Sequence, residues 1–70
     1  MKEKILKLLA DFLGIEPSDI TDDDSLVEDL HMTPSDLTDF TEILAKSGLD
    51  TASLDFTEIE TVSDLYEKYI

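Results

Sequence analysis

The chain has 70 residues, 41% of them apolar, with no cysteine and a formal net charge of −13 at pH 7. That length makes one small domain with a limited core, and without cysteine neither a disulfide nor a thiolate metal site can staple it. Eighteen Asp and Glu against five Lys and Arg create a field that repels nucleic acid and anionic membranes and favours basic protein surfaces and, weakly, divalent cations.

Apolar residues recur periodically along the whole length, so the chain is expected to fold rather than remain disordered. Ile5, Leu8, Leu9 and Phe12 stand at the i, i+3, i+4, i+7 spacing of an amphipathic helix, which Leu6 and Leu13 widen and Gly14 ends. The spacing predicts helix one over about Lys2 to Leu13, with its lysines towards solvent. Lys7 and Asp11 interrupt the apolar run and no small-residue cleavage site follows, so a secretory signal is not expected. With no transmembrane run either, the expected compartment is the cytoplasm.

Residues 15 to 33 show no sustained period. Pro17 is placed to open a single helical turn, and Ile15, Ile20, Leu26 and Leu30 are expected to pin this long connection to the helices. Asp22, Asp23 and Asp24 begin like a calcium loop, but Val27 and Thr33 stand where such a loop needs Gly and Glu. His31 has no companion histidine or cysteine, which leaves a zinc site without support.

Helix two starts clearly: Thr33 as N-cap, Pro34 at the first helical position and Asp36 at the third, beside the free amides. Leu37, Phe40, Ile43 and Leu44 form its apolar side, and Gly48 ends it. Asp36, Asp39 and Glu42 recur every three residues as an acidic stripe. For residues 51 to 60 one or two helical turns are expected around Leu54, Phe56 and Ile59. Thr61 then caps a last helix, with Asp64 at its third position and Val62, Leu65, Tyr66, Tyr69 and Ile70 on its inner side. The core expected from these faces is Leu9, Phe12, Leu37, Phe40, Ile43, Leu65 and Tyr69.

Three helices, a long irregular connection after the first and a short segment before the last resemble the acyl carrier protein family. ILKLLADFLGI at residues 5–15 is similar to the family's first helix and the Leu-Gly-Val/Ile that follows it; DDDSLVEDL at 22–30 resembles xxSFVEDL; and IETVSDLYEKYI at 59–70 is similar to ITTVGDAVxYI. The resemblance spans essentially the whole chain. It implies an all-α fold, a small antiparallel bundle of three to four helices in a single domain over residues 1–70. It also implies a 4′-phosphopantetheine arm that carries acyl, aminoacyl or related groups as thioesters, as in fatty acid or polyketide biosynthesis. The partners implied are a phosphopantetheinyl transferase, which attaches the arm, and acyl-processing enzymes, whose basic surfaces meet the acidic face of helix two.

The sequence departs from the family at the attachment motif. The family's EDLGADSLD sets the modified serine between an aspartate and a leucine, whereas EDLHMTPSDLTD reads Ser35, Asp36, Leu37, with His31 in place of glycine. Aligning on Leu37 needs two inserted residues, and aligning on the serine needs one, so the loop is expected to be enlarged. By resemblance Ser35 is the candidate for phosphopantetheine attachment; by its position alone it is an exposed residue tolerated at the start of a helix. Asp36, Asp39 and Glu42 are likewise either a partner-binding surface or a solvated helix face. With one histidine, no cysteine and no glycine-rich phosphate loop, no nucleophile–base pair can be assembled, so the chain is expected to be a monomeric carrier or docking domain rather than an enzyme.

Overall fold

A computed structural model describes residues 2–52 and 54–69. Helix α1 spans Lys2–Leu13, a 3₁₀ turn spans Pro17–Asp19, α2 spans Pro34–Lys46 and α3 spans Val62–Glu67. No strand forms among the described residues, only an isolated antiparallel bridge between Ser25 and Thr61. The fold is all-α, as the resemblance implied.

The two long helices end in the same way. After α1, the Ile15 amide donates to the Ala10 carbonyl at 3.1 Å; after α2, the Leu49 amide donates to the Leu44 carbonyl at 3.1 Å. Both closures turn on a glycine in the left-handed region, Gly14 at φ 73 and Gly48 at φ 89, where a side chain would be strained. The expected ends of both helices therefore stand.

Ile5, Leu9 and Ala10 of α1, Phe40 and Leu44 of α2, and Val62, Leu65 and Tyr66 of α3 are buried together. Phe40 is fully buried, and its ring lies 5.8 Å from that of Phe12 at a tilt of 44°. Phe12, Leu37, Ile43 and Tyr69 are half-buried rather than buried and line the edge of the core. The six-residue α3 is too short to hold Tyr69, which leaves it in the turn beyond Glu67 with its hydroxyl donating to the Asp50 carbonyl at 2.9 Å. Ile70 lies outside the described residues.

Among the described residues, the connections supply five of the thirteen buried core residues. Ile20, Leu26, Met32, Leu49 and Ile59 are all buried and Leu30 is half-buried, so three of the four expected pins hold; Ile15 is 38% exposed and does not. The long connection is fastened to the start of α3 by backbone: the Leu26 amide donates to Glu60, Val62 to Asp24 and Ser63 to Asp22, at 3.0, 3.0 and 2.9 Å. The carboxylates of Asp24 and Asp64 brace the same junction. Amide and hydroxyl donors of Thr21 hold Asp24 below the usual carboxylate range, and the amides of Thr61 and Glu60 do the same for Asp64.

Residues 51 to 60 form turns, not the expected helical turns. Asp50 accepts from the Ala52 amide and Asp55 from the Thr57 amide, each at 2.9 Å. Such side-chain turns give the backbone an alternative to helical hydrogen bonds. Ser53, within this segment, lies outside the described residues.

Replacing Phe40 by Ala should cost about 3–5 kcal/mol, a large share of a small domain's stability; a denaturant midpoint close to that of the parent chain would contradict the core described here. His31 is the single non-glycine residue with positive φ among the described residues, at 59°. Replacing it with Gly should raise stability by up to about 1 kcal/mol, as relief of the left-handed backbone outweighs the added freedom of the unfolded chain. A lower midpoint would mean that the imidazole makes a contact outweighing that relief.

Candidate functional site

The candidate site is the mouth of α2, and its geometry is set by a reciprocal cap. The Thr33 hydroxyl accepts from the Asp36 amide at 3.2 Å, and the Asp36 carboxylate accepts from the Thr33 amide at 3.0 Å. The Leu37 amide closes on the Thr33 carbonyl at 3.0 Å. Of the first helical residues, Pro34 has no amide hydrogen and the amides of Asp36 and Leu37 are engaged, so the Ser35 amide is the donor left for an incoming group.

Ser35 is exposed, and with Pro34, Thr38 and Asp39 it lines a shallow depression on the surface. The three acids of the expected stripe divide. Asp36 is half-buried and turned back into the cap, while Asp39 and Glu42 stand exposed on α2 with no ion-pair partner among the described residues. His31 is exposed just before the cap, and Met32 is buried at 2% exposure, its amide donating to the Leu26 carbonyl at 3.0 Å. Among the described residues no group of three or more histidines or acids is arranged to hold a metal ion, and no helix is long and apolar enough to cross a membrane.

This geometry does not require the expected enlargement of the loop. Set without gaps against EDLGADSLD, the chain matches at Glu28, Asp29, Leu30 and Asp36. His31 falls on the motif's glycine and has the left-handed backbone that favours glycine. Met32 falls on the apolar alanine and is buried. Thr33 falls on the first aspartate, and both residue types are strong N-caps. In this register no insertion is needed, and Met32 and Thr33 supply a buried apolar residue and a cap one for one. In this register Pro34 stands in the place of the motif's serine and Ser35 in the place of its leucine.

The expected arm has no attachment point at the motif's own position, since proline carries no hydroxyl. Hydroxyls flank it on both sides: that of Thr33 is engaged in the cap, and that of Ser35 stands one residue on. Sequence reading singled out Ser35 but missed the role of Pro34, although the ungapped spacing from Glu28 to Asp36 was there to be counted.

A family model described as a phosphopantetheine attachment site matches residues 3–68. No curated protein matches the chain. The family match runs through all three helices and both connections, the same elements that build the core and the mouth of α2, and the chain belongs to the phosphopantetheine-attachment family of carrier domains.

Proposed function

We propose that the protein presents an acyl or related group, tethered through 4′-phosphopantetheine at Ser35, to enzymes that dock against α2. The observation that carries this reading is an exposed hydroxyl in the first turn of the capped helix, in a chain that matches the attachment family over nearly its whole length. The unengaged amide of Ser35 and the positive end of a 13-residue helix favour a phosphate there. Asp39 and Glu42 lie on the same helix and, with a net charge of −13, suit a basic partner surface.

A second reading has its own support. Because Pro34 occupies the place of the motif's serine, the same bundle can act as a docking module without an arm, through the same acidic residues.

The two readings separate by mass. The full chain incubated with coenzyme A and an extract of its native host should gain one arm, and the Ser35→Ala variant should gain none. An unchanged mass in both would remove the tethered group and leave the docking module. Docking is tested separately: the double reversal Asp39→Lys and Glu42→Lys should slow association with a basic acyl-processing partner by about tenfold or more at low salt, with the dissociation rate little changed. Unaltered association by a folded double variant would place the interface away from α2.

A further inference from the structure

Of the five positions at which the chain departs from the family motif, 31 to 35, only the last two change what the mouth of α2 offers chemically. Around them each residue keeps its part: Leu30 packs on the core, His31 takes the glycine's backbone, Met32 is buried, Thr33 caps and Asp36 completes the cap. We propose that the Pro34–Ser35 pair alone withholds this chain from transferases that load the Asp-Ser-Leu motif, and that the surface such an enzyme needs is otherwise intact. The inference rests on family membership and bears on how the site in the carrier reading is loaded.

The physical reason is a displaced hydroxyl. Moving one residue along an α-helix turns a side chain by about 100° and advances it by about 1.5 Å. The Ser35 hydroxyl therefore leaves the helix on a different side from a hydroxyl at position 34. At position 34 itself the exposed pyrrolidine ring offers neither a hydroxyl nor an amide hydrogen. A serine there would bring its own amide beside that of Ser35, giving the phosphate two donors in place of one. In the transfer, the serine oxygen attacks the phosphorus of coenzyme A that bears the pantetheine. A new O–P bond forms as the bond to the bridging pyrophosphate oxygen breaks; adenosine bisphosphate leaves, and the hydroxyl proton passes to the transferase or to solvent. An oxygen misplaced by an ångström or more in such a step costs about 100-fold in rate.

The test compares the full-length parent chain, the Pro34→Ser/Ser35→Leu double variant and the Ser35→Ala variant. Each is incubated with coenzyme A and a transferase shown to load a family member bearing Asp-Ser-Leu. Intact mass is followed with time, peptide mapping locates the arm, and a thermal melt reports folding. The double variant should acquire one arm at position 34 at an initial rate at least about 100-fold above the parent's. Loading of the parent at Ser35 within about tenfold of that rate would overturn the proposal, because the displacement would then be tolerated. A cooperatively folded double variant that stays unloaded would also overturn it, by showing that the recognition surface is lost elsewhere. If Leu at position 35 impairs folding, Pro34→Ser alone carries the same test, since it alters one exposed residue. A parent chain left unmodified by host extract, alongside a loaded double variant, would remove the arm at Ser35 and leave this proposal standing.

Discussion

The reciprocal cap between Thr33 and Asp36 is the constraint on which most of this structure depends. Two hydrogen bonds fix the residue at which α2 begins, and everything downstream follows at 100° per residue. Starting there, the helix brings Phe40 and Leu44 onto the core and leaves Asp39 and Glu42 facing out. The same cap decides which side chains occupy the first turn, and so what chemistry the mouth of the helix can perform.

The long connection before the cap acts as a structural layer. In a chain this small and without cysteine, three helices bury too little surface by themselves. Ile20, Leu26 and Met32 add their side chains to the core, and three backbone hydrogen bonds lash the segment to the start of α3. Between Leu26 and Thr33 the chain also passes through a left-handed turn at His31. The price of the tight approach is a strained backbone at a position where glycine would be relaxed. That strain also marks the register of the chain against its family.

Charge and fold divide the work. The core is apolar throughout, while the carboxylates serve as caps and turn formers or stand free in solvent. Asp24 and Asp64 accept from nearby backbone amides, and Asp55 from the hydroxyl and then the amide of Thr57, which favours their ionised forms. The exposed ion pair of Lys2 with Asp22, at 3.2 Å, adds little by comparison, because both groups stay solvated. Most of the acidic excess thus remains on the surface.

Much of the fold was legible in the residue order because its signals are local. The 3.6-residue spacing of Ile5, Leu9 and Phe12, the cap residues Thr33 and Thr61, and the glycines at 14 and 48 act within a turn or two of the chain. Three motifs in the right order were enough to indicate the family and the all-α class. Residues 51 to 60 were misread because the Asx turns at Asp50 and Asp55 compete with helix over the same few residues, and propensity alone cannot rank them. What only the tertiary structure decided was depth and the backbone conformation of the connection. Whether Phe12 or Ile15 is covered depends on neighbours distant in sequence. The ungapped count from Glu28 to Asp36 sets Pro34 against the serine, but only the fold shows that Met32 is buried and His31 left-handed, because both depend on packing across the connection.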